Sequence, residues 1–295
     1  VIVVFGSVNA DLIFRLKQAP SAGQTLLADD LTVQAGGKGA NQAVAAARDG
    51  AETVMAGAVG ADALADVALA GLRQAGIDLT RVRTVPGPTG CASIWTEAAG
   101  DNRIAVALGA NALARGDQVE DALLARATAL LLQMETDVAE TTALLRRSRA
   151  FGLRTILNLA PALPLARDVL RLCDLLVVNQ DEAGAVAARL GCGAEATALR
   201  AALGTDVVRT LGEAGSEAAS AEGAWQVPAR PVVPVDTTAA GDGFVGVLAA
   251  SLDRGLPLRA AMERASAAAA LACTRPGSQS SLPGRAEIDA ALSGA

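Results

Sequence analysis

Ala129-Leu130-Leu131-Leu132-Gln133-Met134 opens a segment, 129–190, in which short apolar runs alternate with stretches of helical length. Two further apolar runs follow within it, Thr155-Ile156-Leu157-Asn158-Leu159 and Leu175-Leu176-Val177-Val178. Each run is short, unbroken by charge and free of polar alternation. Such runs suit parallel strands covered on both faces. Between and after them lie Asp137–Arg149, Leu165–Leu172 and Asp181–Leu190, stretches of helical length rich in Ala, Leu, Arg and Glu. Strand and helix therefore alternate. The same alternation extends upstream, with strands at Val1–Phe5 and Thr53–Ala58 and helices at Gly39–Arg48 and Asp62–Ala75. Downstream it adds a helix at Glu195–Leu203 and a strand at Val207–Leu211, and the chain is largely helical after Gly241. The expected fold class is α/β: a doubly wound, mostly parallel sheet with helices on both faces, forming one domain over 1–295.

Two segments interrupt the pattern. Residues 12–34 consist of extended pieces around Pro20 and Gly23. Residues 89–108 hold the alternating Ser93-Ile94-Trp95-Thr96 and Arg103-Ile104-Ala105-Val106, joined by Ala99-Gly100-Asp101-Asn102, which predicts a hairpin. Together they predict a small discontinuous β lid over the strand ends. Ordinary surface loops are the alternative.

Composition narrows the function. The 295 residues carry 25 Lys+Arg against 31 Asp+Glu, a net charge of −6, with no basic block for a nucleic-acid backbone. With no Tyr there are few aromatic platforms for single strands. The absence of His removes histidine bases, Ser-His-Asp triads and His-ligated metals. Cys91, Cys173, Cys192 and Cys273 show no CxxC spacing, which suits reduced thiols in the cytoplasm. Val1–Phe5 is too short for a signal peptide and lacks a basic lead, and no apolar run has the length of a membrane span.

Three constellations carry chemistry. In Gly6-Ser7-Val8-Asn9-Ala10-Asp11 a strand ends at Gly, and Asn9 and Asp11 follow at alternate positions. They suit a clamp on two sugar hydroxyls, or else an Asx-stabilised turn. Gln34-Ala35-Gly36-Gly37-Lys38-Gly39-Ala40-Asn41-Gln42 is a Gly-rich helix entry whose N–H groups are free to approach a ligand closely. It matches neither a Walker A loop nor GxGxxG. Val235-Asp236-Thr237-Thr238-Ala239-Ala240-Gly241-Asp242-Gly243-Phe244 runs small residues into a helix start suited to an anion. Asp242 there is either a base for a hydroxyl or a capping aspartate.

These three motifs, in this order, resemble those of the PfkB-type carbohydrate kinases and, among them, the ribokinases. Gly109-Ala110-Asn111-Ala112, Gln133-Met134-Glu135, Asn158-Leu159-Ala160-Pro161-Ala162, Thr210-Leu211-Gly212 and Ala267–Arg275 extend the likeness over the whole chain. The resemblance implies ATP-dependent phosphorylation of D-ribose at O5, giving D-ribose 5-phosphate and ADP. It implies Asn9, Asp11, Gly37, Lys38, Asn41 and Glu135 as sugar ligands and Asp242 as catalytic base. Ala239, Ala240 and Gly241 would form the anion hole. Asn179, Thr210, Gly212, Gly215, Gly241 and Ser266 would meet the nucleotide. Asn179 and Glu182 would organise Mg²⁺, partly through water. A K⁺ site would comprise the Asp236 carboxylate, carbonyls of Thr238, Ala272, Arg275 and Gly277, and Ser281. A homodimer formed through the β lid is implied as well. No nucleic-acid or membrane partner is expected.

The sequence departs from the family pattern at Gly243, Val245, Val247, Ala65 and Pro276, none of which removes a reacting group. The alternatives are a related kinase for deoxyribose, fructose, a keto-deoxy acid or a nucleoside, and an inactive sugar- or nucleotide-binding regulator.

Overall fold

The computed structural model describes residues 1–97 and 102–294. Its strands are β1 (Ile2–Phe5), β2 (Asn9–Leu16), β3 (Asp30–Gly36), β4 (Thr53–Gly60), β5 (Asp78–Val85), β6 (Gly90–Glu97), β7 (Asn102–Ala107), β8 (Ala129–Leu132), β9 (Arg154–Asn158), β10 (Leu175–Val178), β11 (Asp206–Thr210), β12 (Ser216–Ser220) and β13 (Gly223–Val227). Its helices are α1 (Lys38–Arg48), α2 (Ala63–Gln74), α3 (Asp121–Arg126), α4 (Val138–Ser148), α5 (Arg167–Leu170), α6 (Gln180–Leu190), α7 (Ala196–Leu203), α8 (Ala240–Asp253), α9 (Leu258–Cys273) and α10 (Arg285–Ser293).

A nine-stranded sheet has the order β13-β12-β11-β10-β9-β8-β1-β4-β5. It is parallel from β11 to β5, and β12 and β13 join antiparallel. Successive side chains of β1 face opposite cores, as the period of a strand requires. Ile2 and Val4 join Val44, Leu72, Leu248 and Met262 in one buried cluster. Val3 and Phe5 join Leu124, Leu144, Val186 and Leu199 in the other. The helices thus divide between the two faces, and the expected α/β class holds.

The expected helix over 165–172 shortens to Arg167–Leu170, because Pro164 and the turn at Arg171–Leu172 bracket it. β5, β12 and β13 were not expected. They lie on the two flanks of the sheet, where pairing partners rather than apolar runs define a strand.

A second sheet has the order β3-β2-β6-β7. Its hairpins β2–β3 and β6–β7 are antiparallel, and β2 and β6 run parallel between them. The expected extended segments are therefore paired, and longer than anticipated, since Asn9 and Gly36 already lie in register. Of the expected turn, Ala99, Gly100 and Asp101 lie outside the described residues. No helix among the described residues is long and apolar enough to cross a membrane.

Candidate active site

The site lies beyond the carboxyl ends of the parallel strands, where open α/β sheets bind ligands. β1 leads to Ser7, β8 to Glu135, β10 to Asn179, and β11 ends at Thr210. Behind them α1 and α8 pack closely. A Cβ at Gly246 would lie 2.4 Å from the Gln42 carbonyl, so glycine permits this approach. One turn earlier, the same approach sets α1's first turn against Asp242.

Asp242 is 9% exposed and lies in the first turn of α8, whose N-cap is Ala239. Asn41 Nδ2 donates to its Oδ2 at 2.9 Å, and Gln42 Nε2 donates to its Oδ1 at 2.9 Å. Gln42 also donates to Asn158 Oδ1 at 2.9 Å and accepts from Gln133 Nε2 at 2.7 Å. The carboxylate is thus held by two side-chain amides. Gln42 had no assigned role in the sequence reading, because nothing in its local pattern distinguishes it from a core glutamine.

Ala239 caps α8 with φ 58°, the one non-glycine residue at positive φ among the described residues. L residues seldom adopt this conformation, and it clusters at functional sites. Within α8's first turn the N–H groups of Gly241 and Asp242 meet no acceptor among the described residues. Orphan donors at a helix start favour an anion. Gly243 follows, where a Cβ would lie 2.9 Å from the end of the buried Leu282 side chain.

The Gly-rich entry of α1 behaves differently from expectation. The N–H groups of Lys38, Gly39 and Ala40 are occupied within the chain. Lys38 N donates to Glu135 Oε2 at 3.1 Å, Gly39 N to Ser7 Oγ at 3.3 Å and Ala40 N to the Ser7 carbonyl at 2.9 Å. A Cβ on Gly39 would sit 2.6 Å from Ser7 N, so glycine is there for backbone contact with the chain rather than with a ligand. Ser7 Oγ also donates to Glu135 Oε2 at 2.6 Å, and Oε1 has no partner among the described residues.

Asn9 and Asp11 lie on β2, with both side chains on one face of the second sheet. Buried Asn111 donates to Asn9 Oδ1 at 2.7 Å and accepts from Val8 N at 2.9 Å. This consumes Asn9's acceptor and leaves its N–H donors to the cleft. Asn111 belongs to a motif that the sequence reading matched without a role. Burial, then Glu135 and Asp242, push the Asp11 carboxyl up to about 7, against the opposing pull of Lys38. Asp242 in turn raises the Lys38 ammonium above its usual range despite burial.

A pocket of about 150 Å³ continues from Lys38 and Asp242 to Ala239, Gly241, Asn158, Asn179, Glu182 and Thr210. Asn179 and Glu182 form a capping box on α6, each side chain accepting the other's backbone N–H at 2.8 Å. Burial raises the Glu182 carboxyl. Gly212, Gly215 and Ser266 do not line this pocket. A Cβ at Gly215 would lie 2.1 Å from the Val227 carbonyl, and Ser266 Oγ donates to the Pro228 carbonyl at 3.3 Å.

The loops around Asp236 and Gly277 meet. Asp236 Oδ1 accepts from Thr238 N at 2.8 Å and Oδ2 from Gly277 N at 2.9 Å. Among the described residues the carbonyls of Thr238, Arg275 and Gly277 accept no hydrogen bond, whereas that of Ala272 accepts from Arg275 N at 3.2 Å. Ser281 Oγ donates to the Ser278 carbonyl at 2.8 Å.

Known proteins share this architecture. The model of the pfkB family of carbohydrate kinases matches residues 1–285. A ribokinase of Schizosaccharomyces pombe is 35% identical over 306 residues, covering 98% of this chain and 96% of that protein. The crystal structure of a ribokinase from Thermotoga maritima superposes with TM-score 0.92 at 33% identity, covering 99% of both chains. An Arabidopsis thaliana ribokinase complexed with ribose and ATP superposes with TM-score 0.88 at 28% identity, covering 99% of this chain and 98% of that one. With the family match spanning nearly the whole chain and the motifs gathered in one cleft, the chain belongs to the pfkB family of carbohydrate kinases.

Proposed function

We propose that this protein phosphorylates D-ribose at O5 with ATP, giving D-ribose 5-phosphate and ADP. The observation that carries this reading is Asp242, aimed by Asn41 and Gln42 and flanked by open N–H groups, in a pocket it shares with Lys38, Asn179 and Thr210. Asn9 donates to the sugar, while Asp11 and the free oxygen of Glu135 accept from its hydroxyls. Asn41 and the Gly37 N–H complete the clamp, with the Lys38 ammonium at its phosphate side. Asp242 takes the O5 proton as O5 attacks the γ-phosphorus in line and the bond to the β-phosphate oxygen breaks. Negative charge then grows on the leaving ADP. The N–H groups at Gly241 and Asp242, with Ala239 and Ala240 shaping the turn, stabilise it together with Lys38. Asn179 and Thr210 hold the phosphate side of the nucleotide, and Gly212, Gly215 and Ser266 flank its base. The second sheet acts as a lid on this single domain and excludes water.

Mg²⁺ fits beside Asn179 and Glu182. Among the described residues no group of three or more acidic or thiol side chains offers a metal cage, and Mg²⁺ commonly keeps waters and substrate phosphates with one or two carboxylates. When bound, it neutralises phosphate charge. Glu182→Gln is expected to raise the Mg²⁺ concentration needed for half-maximal activity, and an unchanged Mg²⁺ titration would remove Glu182 from this role. K⁺ fits between the Asp236 and Gly277 loops, where hard carbonyl oxygens stand free beside a carboxylate. Free thiols and a nucleotide substrate suit the cytoplasm, which cell fractionation checks.

ADP release across a panel of sugars and nucleosides tests the substrate. D-ribose is expected to lead 2-deoxy-D-ribose in kcat/KM. Equal or reversed values would point to a deoxyribose kinase, the second reading, and no turnover at all to a binding regulator. Asp242→Asn is expected to lower kcat by about 10²–10⁴-fold with ATP affinity kept. A variant within a few-fold of wild type would refute Asp242 as the base.

A further inference from the structure

Ser278 lies in the loop between α9 and α10 and is fully buried. Its Oγ donates to Asn41 Oδ1 at 3.2 Å. Asn41 turns its other end to the base, with Nδ2 donating to Asp242 Oδ2 at 2.9 Å. A side-chain amide has donors at one end and acceptors at the other. A hydroxyl donating to the oxygen end therefore selects the rotamer that presents N–H to the carboxylate. Reversed, Asn41 would set its own oxygen against Asp242, and the carboxylate would lose one of its two amide holds.

The loop that carries Ser278 is held firmly. Gly277 N donates to Asp236 Oδ2 at 2.9 Å. The Ser278 carbonyl accepts from Ser281 Oγ at 2.8 Å. Arg48, at the far end of α1, donates through Nη1 to the carbonyls of Gln279 and Leu282, each at 2.7 Å. The loop thus grips both ends of α1, and at the near end the Ser278 hydroxyl reaches the amide that aims the base.

We propose that Ser278 is a positioning residue for phosphoryl transfer: through Asn41 it fixes the orientation of the Asp242 carboxylate, so the loop over Arg275–Ser281 sets the aim of the base. This rests on the reading of Asp242 as base. Ser278 touches neither sugar nor nucleotide in this scheme. Its loss is therefore felt in turnover, not in ATP affinity.

The experiment is a cycle of wild type, Ser278→Ala, Asn41→Ala and the double variant, at saturating D-ribose, with Asp242→Asn alongside. Ser278→Ala is expected to lower kcat about 10-fold, with the KM for ATP changed less than about two-fold. In the Asn41→Ala background the same substitution is expected to cause no further loss, because the partner through which it acts is gone. Losses that multiply in the double variant would overturn the proposal. So would a Ser278→Ala kcat equal to wild type while Asp242→Asn is inactive, and then the base reading would stand alone. An active Asp242→Asn would instead remove the base reading, and this proposal with it.

Discussion

Asp11 shows what the cleft costs at the scale of a residue. It is 6% exposed, and burial together with Glu135 and Asp242 pushes its carboxyl from 3.8 up to about 7. Between those two values the folded chain binds a proton that the unfolded chain has released. Stability attributable to this group is therefore fully present at low pH and falls as pH rises through about 4 to 7, with the ionised form tolerated above that. Asp11→Asn abolishes that penalty. The melting temperature of the variant is expected to exceed that of wild type at pH 8, with the gap narrowing below pH 7 and closing near pH 4. The same change replaces a charged acceptor, so the ribose KM is expected to rise roughly 10- to 100-fold. A gap that does not vary with pH, measured by thermal melts across the range, would mean that Asp11 is not the group responsible. Stability surrendered for binding is a common trade at functional sites.

Two loops meeting through one carboxylate decide behaviour at the scale of elements. Asp236 holds Thr238 N on the approach to α8 and Gly277 N after α9, so a single side chain ties the turn entering α8 to the loop after α9. Asp236 therefore caps a turn and ties two loops at once. Pro276 does not disrupt them, since the donor used is Gly277 N, and Gly277 takes φ 97° to deliver it. K⁺ between these loops would hold Ala239–Gly241 in their receiving shape, which is preorganisation rather than contact with ATP. At constant ionic strength, K⁺ is expected to raise kcat well above Na⁺ or a bulky organic cation, and Asp236→Ala to erase the difference. Equal activity of wild type in all three salts would show that no such site operates.

At the scale of the whole molecule the second sheet presents unfinished edges. β3 and β7 flank it, and Leu31, Val33, Ile104 and Val106 on them are 50%, 40%, 61% and 44% exposed. Open strand edges carrying apolar side chains pair readily with another chain. We propose that two copies associate through this sheet. Sedimentation is expected to find a dimer at assay concentrations, and Leu31→Lys with Ile104→Lys to give a monomer. Wild type sedimenting as a monomer would end the idea.

The parallel core and the three motif clusters were legible because their signals are short-range. A strand buried on both faces must be apolar throughout, as Leu130–Leu132 and Leu175–Val178 are, and a helix start announces itself within one turn. β12 and β13 gave no such signal. Ser216–Ser220 and Gly223–Val227 are strands because β11 and then β12 offer them free backbone partners, not because their side chains favour extension. The same limit applies at the site. Asp11, Lys38 and Asp242 are visible as residue types, but which groups hold them is not. Asn111 reaches Val8 across 103 positions, Gln42 reaches Asp242 across 200, and Ser278 reaches Asn41 across 237. A hydrogen bond depends on distance and angle in space, and positions so far apart in the chain share no local pattern. Local pattern thus carries the layers and the chemical groups. Packing of α1 against α8, made possible at Gly246, decided how those groups face one another.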